Sequence, residues 1–366
     1  MVQISMNEFL ERMPTREEKY NLLNTLREAS DGKLFLEREY ANCTRWLCEM
    51  LEDDGKVDEA TKIIQEIQIE TYGSLQTKEK VEFILYQMKL VLLRRDFVRV
   101  QILSRKISKR HLSEKGLESQ KIQFYSFMVK YFIHEKMTLD SAKSYQTIYD
   151  TYNKADAELN LDPTGDLKNQ AFQNFIIYLM VAPYDNEKVD LLNIANSLYT
   201  RELDLNENLS KYMRKFLSFE IMPFNDQEIE GQVRGYEPFR EDLTEHARTH
   251  LQEFLRQLIQ HNIRVIQKYY SKVRLARLAQ LVGVSVDLAE KEIGDMVVNK
   301  RLVAKINRLQ GIVSFLKNKQ SNDVLNDWNY DIRHMLDKIE QTCHLINREK
   351  VVHNVAWYFK ELGSLF

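Results

Sequence analysis

Glycine and proline are scarce: 11 and 5 among 366 residues, or roughly 3% and 1% where globular chains average about 7% and 5%. A β-rich or doubly wound fold needs one or the other at most of its turns, so the shortage excludes both and indicates a mostly helical chain. Cysteine is nearly absent too. Cys43, Cys48 and Cys343 form no CxxC and leave one unpaired, which excludes a disulfide scaffold or a zinc ribbon and fits a reducing compartment. No long apolar run occurs; the longest, FIIYLMVA at 175–182, is far too short to span a bilayer. The opening MVQISMNEFLERMP carries acid where a secretory signal carries base. An excess of charge of one sign is likewise missing. With 29% charged residues and a net charge of -2, the chain does not read as a general nucleic-acid or membrane binder. A soluble, intracellular, helical protein is the expectation.

The usual marks of catalysis are absent as well. There is no G-x-S-x-G, and the two DGK sites, 31–33 and 54–56, lack the upstream Gly and following Ser/Thr of a phosphate loop. They read as helix breakers. His246 and His250 stand four apart in EHARTH, a spacing that can hold a metal, but no Glu follows the first His and no third ligand is evident. They read as a pair at the edge of an apolar stripe. Cys43 and Cys48 lie in such a stripe, where a thiol is inert. No catalytic residue, cofactor or metal ligand is expected.

What the chain does have is amphipathic periodicity. Leu36, Tyr40, Cys43, Leu47 and Met50 form one stripe at 3–4 spacing, and Val81, Ile84, Leu85, Met88 and Leu92 another. The helix openings Val57/Ala60, Phe97/Val100 and Leu139/Ala142 recur after 40 and then 42 residues, the size of a helix–turn–helix repeat. Stacked units of that kind share a core that none of them can bury alone. An irregular helical domain without repeats is the alternative. Further helices are expected around 167–182 and 187–200. The segment 220–240 holds two of the five prolines and two of the eleven glycines and is the best internal boundary. Beyond it a helix is expected from about Leu243 to Gln267, with Leu243, Ala247, Leu251, Phe254, Leu258 and Ile259 on one side.

The stretch RLARLAQLVGVSVDLAEKEIGDMV (274–297) reads as two helices across a tight turn. Leu275, Leu278, Ala279 and Val282 face inward on the first, and Gly283 suits the left-handed residue that ends it. Ser285 caps the second, with Asp287 in its first turn; Ala289, Ile293, Met296 and Val297 supply its buried face. In RLVAKINRLQGIVSF (301–315), Val303, Ile306, Ile312, Val313 and Phe315 flank a loop containing Gly311, a hairpin and the sole β-structure expected. Two helices and a hairpin make a winged helix. Such folds often read DNA, but the second helix carries Asp287, Glu290, Glu292 and Asp295 against Lys291 and Lys300. Acid is repelled from a phosphate-lined groove. Residues 262–320 nonetheless hold 12 Lys/Arg and 4 Asp/Glu, with Arg264, Lys268 and Lys272 spaced by four, so a nucleic-acid adaptor stays open as the minority reading. Protein docking is favoured, because open wing edges accept a neighbour's strand. The last helix agrees: Leu325, Trp328, Ile332, Met335, Ile339, Cys343 and Ile346 follow a near-heptad seam suited to a bundle with other chains. Packing back on its own domain is the alternative.

A helical-repeat array running into a winged helix resembles the PCI family, shared by subunits of the proteasome lid, the COP9 signalosome and translation initiation factor three. HNIRVIQKYYSKVRLARLAQLVGVS through MVVNKRLVAKINRLQGIVSF carries the likeness of the module itself. IETYGSL (69–75), KVEFILYQMKLVL (80–92), TIYDTY (147–152), VAPYDNE (181–187) and LNDW (325–328) are similar to the proteasome-lid branch, with the equivalent COP9 subunit as the alternative. The resemblance implies an all-α fold: a right-handed, TPR-like helical-repeat solenoid, then a winged-helix PCI module and a C-terminal bundle helix. On that pattern residues 1–220 form the arm and 221–241 a connecting segment. Residues 242–317 form the PCI module, its winged helix at about 274–315, with the bundle helix at 318–348 and a tail at 349–366. The resemblance further implies a non-catalytic cytoplasmic and nuclear scaffold. Its implied partners are other PCI subunits of the lid, a neighbouring deubiquitinating metalloprotease, and the proteasome base and core particle, with no membrane and no nucleic acid. Carried onto this chain, Val303, Ile306, Ile312, Val313 and Phe315 are wing-interface residues. Leu325, Trp328, Ile332, Met335, Ile339 and Ile346 are bundle-interface residues. The chain has no H-x-H pair and so is not itself the lid metalloprotease.

Overall fold

A computed structural model describes residues 13, 15–114, 116–155, 165–218, 220–222, 226–240, 246–316 and 321–363. The arm starts with α1 (Arg16–Ser30) and continues through α2 (Glu37–Asp53), α3 (Val57–Gln65), α4 (Thr77–Leu93), α5 (Phe97–Lys106), α6 (Glu118–His134) and α7 (Thr138–Ala155). The repeat is visible in the backbone. The second helices of successive units begin at Val57, Phe97 and Thr138, and the same turn precedes each. Gly55, Arg95 and Lys136 take left-handed φ values of 76°, 61° and 58°. In each turn the N–H one residue later reaches back five positions: Lys56 to the Leu51 carbonyl (2.9 Å), Asp96 to Val91 (3.1 Å) and Met137 to Phe132 (2.9 Å). These are three copies of one Schellman closure, which satisfies helix-end carbonyls and fixes the angle at which the next helix leaves. Glycine suits this position; Arg95 and Lys136 occupy it at a steric cost. The exposed Lys136→Gly should therefore raise stability by up to about 1 kcal/mol. Gly55→Ala should lower it by a similar amount, from the backbone alone, since nothing lies within 4 Å of the new Cβ. Urea midpoints of the two variants check both signs.

Successive units are laced by ion pairs across the helix rows, among them Arg27–Glu66, Arg38–Glu79, Lys89–Glu52 (2.6 Å) and Lys106–Glu70 (2.9 Å). Inside, Cys43, Leu47, Cys48, Ala60, Ile64, Met88, Leu90 and Val100 are sealed. Burial lifts the Cys43 thiol to about 11 and Cys48 to about 12, so neither is a nucleophile near neutrality.

The arm continues with α8 (Asp166–Val181), α9 (Asn186–Leu198), α10 (Thr200–Asp204), α11 (Glu207–Ser218) and α12 (Asp226–Val233). The run Phe175–Ala182 is the buried centre of this second core, every residue at 2% exposure or less. Among the described residues no helix is long and apolar enough to cross a membrane. The 221–241 segment is no slack connector: Ile229 and Val233 on α12 and Phe239 on a following 3-10 turn are buried in the same core. Gly235 and Pro238 mark the change of direction after α12, inside a packed body.

The spine of the molecule is α13 (Ala247–Tyr269). Its first half gives Phe254 and Leu258 to the arm core, and its second half gives Ile259, Ile263 and Ile266 to the core of the winged helix. The expected start at Leu243 lies outside the described residues. There follow β1 (Lys272–Arg274), α14 (Leu275–Val282), α15 (Val286–Val298), β2 (Ala304–Asn307), β3 (Ile312–Phe315) and α16 (Ser321–Gly363). The three strands pair antiparallel in the order β1-β3-β2. The helical-repeat arm and winged-helix module expected from the sequence are both present. The hairpin, however, has a third strand, β1, which closes the sheet against β3.

Candidate protein-docking surfaces

The winged helix is built as its residues dictate. Gly283 ends α14 with φ 83°, and the Ser285 hydroxyl accepts the Leu288 N–H (3.4 Å) at the start of α15. Leu278, Val282, Ala289, Ile293 and Met296 interlock beneath the sheet. Val297 does not; at 37% exposure it belongs to the surface with Val298. At the hairpin tip the Asn307 side chain accepts the Gln310 N–H three residues on (3.4 Å), which closes the turn, and Leu309 stands fully in solvent.

The five wing residues fall into separate environments. Val313 (0% exposed) and Phe315 (7%) point into the module's own core, so their side chains are not on a docking surface. They sit on the central strand, which has no free edge. Ile306 is half-buried against that core, Val303 lies just before β2, and Ile312 is half-buried on the opposite face. The free edges are β1 and β2. Leu316 N–H bonds the Val303 carbonyl at 2.9 Å, and Phe315 N–H bonds Ser271 at 2.8 Å. By antiparallel alternation the backbone groups of Ala304 and Ile306 then face away from β3. On the sheet's outer face Lys272, Arg274 and Lys305 are exposed.

The acidic helix α15 is not a free reading head. Arg256 of α13 reaches Glu292 (3.0 Å) and Asp295 (2.6 Å), and Gln260 also donates to Glu292 (2.9 Å). Glu290 pairs with Arg308 of the wing (2.7 Å). Three of the four acids thus serve internal joints and oppose any phosphate backbone. The basic row expected at Arg264, Lys268 and Lys272 does not exist as a face. Arg264 is buried at 8% exposure, Lys268 is exposed near the end of α13, and Lys272 lies on β1. Spacing by four misled because α13 is buried nearly all round from Gln257 to Ile266, so periodicity of charge does not mark a solvent face.

The last helix is the most exposed element. From Val324 to His353 every residue whose side chain is described is exposed. Leu325, Trp328, Ile332, Met335, Ile339 and Ile346 stand at 57%, 64%, 44%, 63%, 53% and 51%. Leu325, Ile332, Ile339 and Ile346 recur every seven residues, the a positions of a heptad, with Trp328 and Met335 at d. This seam is not packed on its own domain. The helix also runs through the expected boundary at 348 to Gly363, because nothing in 349–362 stops it. At 1.5 Å per residue it extends roughly 65 Å. The apolar residues of 355–366 lie where side chains are not described.

Among the described residues no cluster of three His, Cys, Asp or Glu could hold a metal. His250 is sealed at 5% exposure, its ring edge-on to Tyr178 at 5.4 Å and 6.3 Å from that of His246. A hollow of about 1580 Å³ opens along the arm near Tyr86, Lys89, Lys130 and His246, but its carboxylates are engaged, Glu82 by Gln120 and Glu237 by Asn174. The sequence reading missed Leu309 and the outward backbone of β2. The first is a lone apolar residue at a turn, and the second follows from pairing that no local pattern encodes.

Comparison with known proteins covers both halves of this architecture. Residues 1–156 match the family described as PSMD12/CSN4, N-terminal; residues 224–317 match the PCI domain; and 322–354 match the 26S proteasome regulatory subunit RPN5 C-terminal domain. The chain is 34% identical to a 26S proteasome non-ATPase regulatory subunit 12 of Dictyostelium discoideum, over 97% of this chain and 76% of that protein. It is 33% identical to a 26S proteasome regulatory subunit RPN5 of Saccharomyces cerevisiae, over 92% and 74%. A COP9 signalosome complex subunit 4 of Caenorhabditis elegans is 29% identical over only 30% of the chain.

Proposed function

The chain belongs to the family of the 26S proteasome non-ATPase regulatory subunit 12 and RPN5, and on that premise we propose that it is a non-catalytic scaffold of the regulatory-particle lid. In this role it supports assembly of the machine that degrades ubiquitin-marked proteins, in cytoplasm and nucleus. The observation that carries the reading is the bare heptad seam of α16, an apolar stripe of Leu325, Trp328, Ile332, Met335, Ile339 and Ile346 that stands exposed with no cover among the described residues of its own chain. A stripe that long in water needs partner helices, since an isolated helix is marginal and a contiguous apolar face is a docking surface. The β2 edge adds register, because Ala304 and Ile306 offer main-chain bonds to a neighbour's strand. Exposed Lys272, Arg274 and Lys305 beside it favour an acidic partner surface. The arm supplies a rigid spacer joined to the module through α13. Interfaces of such obligate assemblies bury roughly 2,000–5,000 Å², more than the wing edge alone provides, so both elements act together. The implied neighbours are other PCI subunits of the lid, the deubiquitinating metalloprotease, and the base and core particle.

The test is gentle affinity purification of the tagged chain from its own cells, followed by mass spectrometry. Proteasome lid subunits in near-equal amounts are expected. Recovery of signalosome subunits in their place would assign the chain to the other complex, and recovery of nucleic acid released by moderate salt would favour the adaptor reading.

A further inference from the structure

On α13 the polar side chains of Gln257, Gln260, His261, Asn262 and Arg264 are all but sealed from solvent. Four of them have partners. Gln257 donates to Glu253 (3.1 Å), Gln260 to Glu292 (2.9 Å), and His261 Nε2 to the Glu220 carbonyl (3.2 Å). Asn262 clamps the Met222 backbone, accepting its N–H at 2.9 Å and donating to its carbonyl at 2.8 Å. Arg264 differs. It keeps 8% of its surface, and Nε, Nη1 and Nη2 all lack a hydrogen-bond partner. Its guanidinium lies over the Tyr184 ring at 3.6 Å, which satisfies a face of the group and none of its N–H donors.

The surroundings are cationic. Lys188, 1% exposed, donates to the carbonyls of Met180 (2.8 Å) and Ala182 (2.6 Å). Desolvation first, then Arg264 and Arg301, holds the Lys188 ammonium well below its ordinary value, against a smaller opposing pull from Glu253. Burial first, and then Arg301, brings Arg264 down to about 10, with no carboxylate opposing them among the described residues. A buried guanidinium with neither a counter-charge nor hydrogen-bond acceptors is among the least favourable arrangements a fold can hold. A planar fork with free edges is the group that grips two oxygens of a carboxylate or phosphate.

We propose that this junction is an oxyanion site, in which one phosphate or carboxylate group is held by the edge of Arg264, with Lys188 and Arg301 supplying charge and Tyr184 covering the guanidinium face. Tyr184 is half-buried in the short connection between α8 and α9, so its movement admits the anion without unfolding a helix. Lys188 belongs to the arm, Arg264 to the spine and Arg301 to the winged-helix module. Occupancy ties the three together and stiffens the angle between arm and module. This holds whether or not the scaffold reading is correct.

The experiment is thermal unfolding of the full chain in chloride buffer at constant ionic strength, titrated with inorganic phosphate and separately with glutarate, alongside Arg264→Met and Arg264→Lys. Wild type should gain a saturable rise of about 3–5 °C. Preference for phosphate assigns a phosphate group; an equal response to glutarate assigns a carboxylate of the kind an acidic partner side chain supplies. Arg264→Met, which removes the unpaired cation, should be at least as stable as wild type without anion and should show no rise. Arg264→Lys should lose most of it. Calorimetric titration of phosphate and glutarate into wild type reads the same binding directly and decides the matter should a variant fail to fold. Absence of saturable binding to wild type, an equal rise in Arg264→Met, or marked destabilisation of Arg264→Met without anion overturns the proposal.

Discussion

The double variant Trp328→Ala/Ile332→Asp will be lost from the assembled regulatory particle while its arm stays folded. Trp328 is 64% and Ile332 44% exposed on a helix with no described residue buried between 324 and 353. Within the free chain the two changes therefore touch almost nothing, and the expected change in stability is within about 0.5 kcal/mol. Inside a bundle the same residues occupy adjacent d and a positions. Truncating a central Trp removes about 2 kcal/mol or more, and a carboxylate in a dry seam adds a comparable desolvation penalty. Together they amount to roughly a thousandfold in affinity. Co-purification of the tagged variant measures the outcome, with circular dichroism of the free chain as control. A stoichiometric yield of lid subunits with the double variant would show that the seam is not the bundle contact.

The second large effect is on pH. His250 and His261 are 5% and 2% exposed, and burial first, then His246 for the one and Arg264 for the other, lowers both from 6.5 to about 4. The folded imidazoles stay neutral while those of the unfolded chain gain protons as the pH falls below 6.5. Stability is then fully present above 6.5 and is lost as the pH drops from 6.5 toward 4. Each histidine contributes roughly 3 kcal/mol to that slope, a large share of a total of about 5–15 kcal/mol. Urea midpoints between pH 8 and 4.5 should fall steeply through this window. His250→Phe, which keeps the edge-on packing against Tyr178, should remove about half of the fall. A flat profile from 6.5 to 4.5 would mean that these rings are protonated or exposed in the folded chain.

Most of the architecture was legible because it is locally encoded. The openings Val57, Phe97 and Leu139 carry the repeat, and Gly283 with Ser285 marks the turn between α14 and α15 wherever the chain is placed. The apolar seam of α16 is a periodicity that any window reveals. The misses share a physical reason. The strand β1 is three residues with one buried side chain, Val273, and it is a strand because β3 lies beside it, a pairing some 40 residues distant. The family resemblance carries Val313 and Phe315 onto the interface as wing residues, but membership of the wing does not say which face of the strand a side chain takes, and β-propensity marks strands and not faces. The spacing of Arg264, Lys268 and Lys272 keeps a basic face open in the sequence, because helix spacing by itself does not tell a buried polar helix from an exposed basic one.

The candidate docking surfaces were legible in the same uneven way. The seam could be read residue by residue, whereas the free edge of β2 depends on register, which is set by the Val303–Leu316 and Ser271–Phe315 backbone bonds. The acids of α15 are visible in the sequence, but their use in joining α15 to Arg256 and to the wing depends on the tertiary structure. Arg256 sits on α13, some 36 residues before its partner Glu292, and no sequence motif links them.

Hydrogen exchange compares the free chain with the same chain in its native assembly. If α16 and the β2 edge are sockets for other polypeptides, amides across 325–346 and those of Ala304 and Ile306 will exchange quickly in the free protein and slow by at least about a hundredfold on assembly. Equal rates in both states, with the helix bare in each, would contradict the account.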